Sequence, residues 1–499
     1  MNLVNIPTGN RTSVAHFCGK SLDGDFQKWL KAEIESWEIP PEIPPHFELV
    51  CFASAGAVER SPLIAQCKRL GIQLTVLGAH MSDEEWRVRL HFNKLFLLRD
   101  HIASGKAKTH IIALDAGDTL ICGSLMDLAN AYHKHYDGRI VFGAECHLMY
   151  KMATWNQYSI DPAVSAYEEC LEIKRMSEAR CRTFAEWKYL NGGMMVGQRD
   201  ALSVALNEAI AIAEKVPQGV YACDQSCWMW LWHYKPELLI DLDFETRLFC
   251  NMNHALPWDF CIDEGGDGEK AAKMRSASGK VDAVYLFCGA DTRDLALSIR
   301  LLRKKAKNLG EIWVIGGEPA GVAGINHIPF HDPGVHNREA NITRKCLLAS
   351  HLSKITDPFA LFSDDQFVLA PMDLANLPLR YKGNLERGRI ETTYGQRTRE
   401  TYLECLRLGL PTLNYNTHWP VPIRKQVYVN ALGMVPWDTE AGEGILCRSV
   451  YGNFVGGGEF CVDSKESARA AIAALKQPCL SMPNSGGEAL YAIIEAAAR

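Results

Sequence analysis

Ile111-Ile112-Ala113-Leu114 runs straight into Asp115-Ala116-Gly117-Asp118, and the same device returns later in the chain as Phe359-Ala360-Leu361-Phe362 followed by Ser363-Asp364-Asp365. Four consecutive apolar residues read as a strand covered on both faces, because a half-exposed strand would alternate with polar residues. A carboxylate pair at the carboxyl end of a buried parallel strand lies where open α/β sheets place ligand chemistry. Such a pair can hold a hard divalent cation through its oxygens, and the cation can hold a diphosphate. Phosphatases, P-loop enzymes and purely structural sheets share the bare pattern, so the flanking sequence has to decide.

Around each acidic strand the chain alternates. Residues 47–53 (Phe-Glu-Leu-Val-Cys-Phe-Ala) read as a buried strand, 61–70 as a helix closed by Gly71, 73–77 as a strand and 86–102 as a helix that leads to the Asp115 strand. The second series places strands at 281–287 and 312–317, with helices at 292–306 and 342–352 ahead of the Asp364 strand. Strand and helix in turn with short connections predict parallel sheets with right-handed crossovers, hence an α/β chain with two Rossmann-type domains in tandem. Pro40, Pro41, Pro44 and Pro45 lack backbone donors and favour extended chain, so residues 1–46 read as an N-terminal extension with a stiff connector. The first domain then spans 47–262. The polar, glycine-rich stretch 263–280 reads as a linker and 281–499 as the second domain.

At 499 residues and 47% apolar content, the chain can bury two or three cores. The formal charge of −6, from 53 basic against 59 acidic residues, gives no global drive toward nucleic acid, while a local basic surface stays open. The first thirty residues hold no apolar run of signal-peptide length, and no stretch reaches the roughly 18 apolar residues of a membrane span. The expectation is a cytoplasmic protein with no membrane partner, in the host cytoplasm if viral. The 17 cysteines are odd in number, sit in apolar contexts and form no Cys-x-x-Cys pair, which predicts reduced core thiols and neither a disulfide frame nor a zinc site.

Five ordered motifs run from the first acidic pair onward: Asp115-Ala116-Gly117-Asp118, Ala144-Glu145-Cys146, Tyr189-Leu190-Asn191-Gly192-Gly193, Cys223-Asp224-Gln225, and Phe249-Cys250-Asn251-Met252-Asn253. In order and spacing, over about 47–254, they resemble the glycosyltransferase domain of the procollagen lysyl hydroxylases. The resemblance implies a GT-A-like fold, a Mn²⁺ or Mg²⁺ ion on Asp115 and Asp118, a nucleotide-sugar donor (UDP-sugar first), and substrate contacts from Glu145, Asn191, Gly192, Gly193 and Gln225. Chemistry agrees: a cation neutralises a departing diphosphate, glycine lets backbone approach a sugar, and Asp224 can take the proton of an acceptor hydroxyl. A turn or helix cap is the plain alternative for Asp118, a helix cap for Asp224, and a tight turn for the glycines. One carboxylate of the family's aspartate-aspartate-glutamine is Cys223 here. The family's histidine metal ligand has no matching segment, which leaves His254 as the nearest substitute. No dioxygenase facial triad is evident in the second half.

The second half carries, in order, Asp282-Ala283-Val284-Tyr285, residues 295–303, Ile312-Trp313-Val314-Ile315-Gly316, His327-Ile328-Pro329, residues 341–352, Phe362-Ser363-Asp364-Asp365-Gln366-Phe367 and Asn414-Tyr415-Asn416-Thr417-His418-Trp419-Pro420. Over about 281–430 this order resembles Stealth-type sugar-phosphate transferases and, more closely, the short glycosyltransferase-like proteins of tailed phages. That resemblance implies a second GT-A-like domain with a cation on Asp364 and Asp365, Asp365 also catalytic, His418 completing the site, and Lys345 or Lys425 on phosphate. For the lysines a solvated helix face is the alternative. Residues 380–400 carry six cations with Tyr381 and Tyr394 interleaved, which fits either a polyanion track or a mixed solvated loop. Since the collagen-type domain glycosylates an installed hydroxyl, analogy suggests hydroxymethylated pyrimidines of phage DNA as acceptor, with two domains adding sugars in succession. A capsule or cell-surface glycan acceptor, and one half reduced to a binding module, are the alternatives.

Overall fold

The apolar stretch before Asp118 forms the strand His110–Asp115, in which Ile111, Ile112 and Leu114 are fully buried. Each such side chain contributes about 1.5–3 kcal/mol when removed from water, which is why the segment lies in the middle of a sheet. The computed structural model describes residues 1–6, 8–17, 25–145, 148–181, 188–217, 220–252, 260–288, 292–330, 338–387, 391–437, 444–463, 479–481, 491–492 and 494–496. The fold is α/β, with helices around mostly parallel sheets. The chain divides into two compact units, Met1–Asn5 with Asn10–Leu256, and Ile6–Gly9 with Pro257–Arg499.

In the first unit six strands lie in the order Ile240–Asp243, Ile140–Glu145, Tyr189–Gln198, His110–Asp115, Phe47–Phe52, Thr75–Leu77. All are parallel except Tyr189–Gln198, which runs antiparallel to both neighbours. The chain leaves Phe47–Phe52 toward one edge, returns, and enters His110–Asp115 on the other side, with Phe52 opposite Asp115. Asp115 therefore stands at the point where strand order reverses, the crevice such sheets use for ligands. Against Ile140–Glu145 the register jumps from Phe142↔Met195 to Gly143↔Asn191, so residues 192–194 bulge toward that same end.

The second unit repeats the logic with five strands, in the order Asn326–Pro329, Leu309–Gly316, Val281–Phe287, Phe359–Ser363, Val421–Ile423, the last antiparallel. Val284, Ile315 and Leu361 pack on one face, and Tyr285, Val314 and Phe362 on the other, so both faces are covered. Ser363 ends the strand beside Val281–Phe287, again where the order reverses.

Three expectations change. Most described residues of 1–46 are built into the first unit, Ile6–Gly9 excepted: Val14–His16 pairs between Thr119–Ile121 and Phe249–Asn251, and the helix Asp25–Ser36 buries Leu30 and Ile34. The expected linker holds the helix Gly266–Ala277, because its Arg275 makes a bidentate pair at 2.9 and 2.8 Å with the fully buried Asp282. The expected helix 86–102 breaks: Asp83–Arg89 ends, Leu90 takes φ +41°, and Asn93–Ala103 starts anew. The buried Asn93 amide donates to Trp86 O and Leu90 O at 2.7 and 3.0 Å, which ties the start of the second helix to the end of the first. Among the described residues, no helix is long and apolar enough to cross a membrane.

Candidate active site

At the carboxyl end of the first sheet Asp115 and Asp118 come together with a residue no motif flagged, His16. One ligand atom from each lies within 4.8 Å of the others, and His16 Nε2 is 3.1 Å from Asp118 Oδ1. Pairing fixes this geometry: His16 sits opposite Thr119 on one side and Asn251 on the other, and Phe17 N donates to Asp118 O at 2.6 Å. Burial opposes the charge on Asp118, yet neighbouring His16 and Lys94 hold its carboxyl below the usual range. Asp118 thus faces a histidine and is no helix cap.

Lys94 is the second unflagged residue. It is 9% exposed, with its ammonium 2.6 Å from Asp115 Oδ1 and 3.6 Å from Asp224 Oδ2. Burial disfavours that ammonium, but Asp115 and Asp224 outweigh the penalty and hold its pKa above the ordinary lysine value. Asp224 is the first residue of the helix Asp224–Tyr234, whose cap position is Cys223 without a side-chain bond, so the capping alternative fails and Asp224 turns to Lys94. A cavity about the size of one water molecule lies against Phe52, Lys94, Gly192, Asp224 and Trp228.

Behind the charges stands a fixed polar network. Asn191 Nδ2 donates to Glu145 Oε2 at 3.4 Å, Gln225 Nε2 donates to Glu145 Oε1, and Gln225 Oε1 accepts from Gly192 N at 3.0 Å. Asn191 Oδ1 accepts from Gly193 N at 2.9 Å. Burial pushes the Glu145 carboxyl up to about 7, with the two amides pulling the other way. The glycines serve close approach: a Cβ on Gly193 would stand 2.6 Å from His16 Nε2, and one on Gly192 3.0 Å from Gln225 Cβ. On the rim Trp155 is 57% exposed, with its ring 5.1 Å from that of Tyr221 and Lys151 Nζ 4.9 Å above it. The Tyr221 hydroxyl is 2.8 Å from His91 Nε2.

The first-half residues expected at the site, Asp115, Asp118, Glu145, Asn191, Gly192, Gly193, Asp224 and Gln225, are thus joined in one region by these bonds, whereas His254 lies outside the described residues. His16 was missed because it falls in an expected appendage, although Ser13-Val14-Ala15-His16-Phe17 is a short β-prone apolar run. Lys94 carried a clearer signal. It stands four residues before Leu98, on the stripe the helix buries.

In the second unit the expected residues part company. Asp365 Oδ2 accepts from Ser481 Oγ at 2.8 Å, and burial together with neighbouring Asp365 pushes Asp364 up to about 6. Among the described residues no group of candidate ligand atoms brings His418 together with Asp364 and Asp365; its Nδ1 is 2.7 Å from Asp463 Oδ1, and Lys382 Nζ is 2.7 Å from Asp463 Oδ2. Burial opposes ionisation of Asp463, but bonding to His418 and charge from His418 and Lys382 hold its carboxyl far below the usual range. Lys345 Nζ donates to Phe287 O at 3.0 Å, at the end of the central strand. Lys425 is no phosphate contact in this structure. Its Nζ donates to Leu352 O and Ile355 O, both at 2.6 Å, taking up carbonyls just past the helix Arg338–His351, and burial pulls its pKa down to about 8. Three of the six cations of 380–400 are engaged as well. Arg380 pairs with Glu459 at 3.5 Å and lies over the Trp419 ring, Lys382 binds Asp463, and Arg397 faces Glu339 at 3.7 Å.

No protein-family model matches the chain, and no curated protein matches it.

Proposed function

We propose that the first unit is a GT-A-like glycosyltransferase domain that moves a sugar from a nucleotide sugar, UDP-sugar in the first instance, to a hydroxyl acceptor with the help of a divalent cation. The observation that carries this reading is the convergence of Asp115, Asp118 and His16 at the strand-order reversal, within reach of Asp224 through Lys94. Two carboxylates and an imidazole suit Mn²⁺ better than Mg²⁺, which prefers oxygen donors alone. Bound there, the ion would supply charge neutralisation for the departing diphosphate. Asp224 accepts the proton of the attacking hydroxyl. Asn191, Gln225 and the glycine bulge orient the sugar, and the Trp155–Tyr221 pair offers a stacking surface for the nucleobase. Hydroxymethylated pyrimidine DNA is the proposed acceptor, by the analogy of an installed hydroxyl.

Lys94 favours a second reading of the same transfer. Its ammonium already stands between Asp115 and Asp224, as a resident cation would, and it can meet the leaving diphosphate directly without a metal. For the second unit we propose a binding role and no transfer, because among the described residues no third candidate ligand joins Asp364 and Asp365, and Asp365 accepts from Ser481.

Incubation with UDP-sugars, Mn²⁺ and hydroxymethylcytosine DNA, followed by nucleoside mass spectrometry, tests the proposal. A hexose gain on the nucleoside is the expected result, lost in EDTA for the metal reading and retained in EDTA but lost in Lys94→Met for the second. UDP release with saccharide acceptors alone moves the acceptor to glycans. No UDP release with any acceptor overturns the transferase.

A further inference from the structure

A second histidine-rich cluster lies at the other end of the same strand. His110 opens the strand His110–Asp115, so about 3.3 Å per residue separates it from the acidic site by roughly 16 Å. His46, just before Phe47–Phe52, and His133, in the last turn of Leu125–Tyr136, meet it there. One ring nitrogen from each of the three lies within 4.8 Å of the others.

The details are those of a ligand set. His46 Nε2 and His133 Nε2 face each other at 3.2 Å, close to the roughly 3.3 Å between two nitrogens in a tetrahedron with bonds of about 2.05 Å. His133 Nδ1 is 3.2 Å from Asp137 Oδ1; donation of that N–H to the carboxylate leaves the Nε2 lone pair aimed at the cluster. His110 is 6% exposed, and neither of its ring nitrogens has a hydrogen-bond partner among the described residues. A buried imidazole ordinarily finds one. Phe47 stacks on the His110 ring at 4.6 Å and 17°, and His110 N donates to His46 O at 3.0 Å, so the positions are held by the sheet itself. His46 and His133 are exposed, which leaves a path for an ion and room for water as a fourth ligand.

We propose that His46, His110 and His133 bind a zinc-class divalent metal ion. Three imidazoles without a carboxylate or thiolate among them select Zn²⁺, Cu²⁺ or Ni²⁺ over Mg²⁺ and Mn²⁺, so this site and the acidic one sort different ions. The role is structural: the ion clamps the end of the proline-rich connector to the start of the Asp115 strand and to the helix that follows the acidic loop. It does not depend on the transferase reading.

The test uses the full chain without a polyhistidine tag, stripped with EDTA and titrated with Zn²⁺ against a chromophoric chelator, then with Co²⁺ read by visible absorption. One Zn²⁺ per chain, an intense four-coordinate Co²⁺ spectrum and a rise of several degrees in Tm with Zn²⁺ are expected. His133→Ala, at an exposed position, should weaken binding at least 100-fold, and Asp137→Asn 10- to 100-fold. Asp115→Asn should leave zinc bound. Zinc retention equal in the wild type and a His46→Ala/His133→Ala double variant overturns the site, as does loss of zinc in Asp115→Asn with retention in His133→Ala.

Discussion

Asp115 and Asp364 stand at equivalent places, each past the end of a buried strand where strand order reverses, yet their neighbours differ in kind. Asp115 pairs with Lys94, and Asp118 faces His16, which with Lys94 holds its carboxyl below the usual range. Asp364 has Asp365 beside it and, pushed up to about 6, lacks such relief. His418, expected to complete the second site, is not grouped with Asp364 and Asp365 among the described residues and lies instead with Lys382 on Asp463. Among the described residues a third candidate ligand, His16, joins the acidic pair of the first unit, and none joins that of the second. The sharpest way to break this contrast is a matched pair of variants. Asp115→Asn should lower UDP-sugar transfer by at least about 10³-fold, since it removes a ligand from the charge-stabilising group, whereas Asp364→Asn should stay within about twofold. Equal losses would show that both units transfer.

The next largest effect separates the sites by pH. Glu145, at about 7 against an ordinary 4.5, is protonated in the folded chain while ionised in the unfolded one between those values. The folded state then binds more protons, so stability falls as pH rises from 4.5 to 7, by up to about 3 kcal/mol. Glu145→Gln should flatten that slope, stabilising the metal-free protein at pH 8 and leaving it nearly unchanged at pH 4. Denaturant unfolding in EDTA across that range decides it, and parallel slopes for the two proteins would remove Glu145 as the cause. Transfer should drop in the same variant, because the amide ends the carboxylate's role of accepting from both Asn191 and Gln225.

Gly193→Ala acts on the third donor. Its Cβ would stand 2.6 Å from His16 Nε2, and His16 is held by two strand partners, so the ring has little room to yield. Overpacking of this kind costs about 2 kcal/mol. We expect a lower Tm together with Mn²⁺ affinity weakened at least tenfold, read by calorimetry. Loss of stability with unchanged Mn²⁺ affinity would show that His16 is no ligand.

What the sequence made legible follows from range. Asp115, Glu145 and Asn191 could be read because each lies beside a strong local pattern, an apolar strand or a glycine pair, which sheet topology gathers, whereas Asp224, at the start of a helix, was legible only through the order of the motifs. His16 could not, since what makes it a site residue is pairing with Thr119 and Asn251, more than a hundred residues away. The helix Gly266–Ala277 was hidden for a similar reason. Its few apolar residues give no stripe, and its anchor is the pair between Arg275 and a strand residue, Asp282. Lys425 and His418 look like ligands in sequence because a lysine or histidine near a sheet end has the right chemistry. Which acceptor each meets, a helix carbonyl or Asp463, is a tertiary fact.

The smallest effect tests whether His418 belongs to structure or to a site. His418→Ala removes one of the two groups that hold Asp463 ionised and leaves Lys382 in place, so about 1 kcal/mol of stability should be lost, the side chain being one-third exposed. Asp463 has a depressed pKa in the fold, so its contribution is present above the unfolded value of 3.8 and fades as pH drops through the folded one. The deficit of His418→Ala should therefore be full at pH 6 and shrink below pH 4, while Mn²⁺ affinity stays at the wild-type value at every pH. His16→Ala should show the reverse, with Mn²⁺ affinity down at least tenfold at pH 7. A metal defect in His418→Ala would restore the second unit as a cation site and erase the difference between the halves.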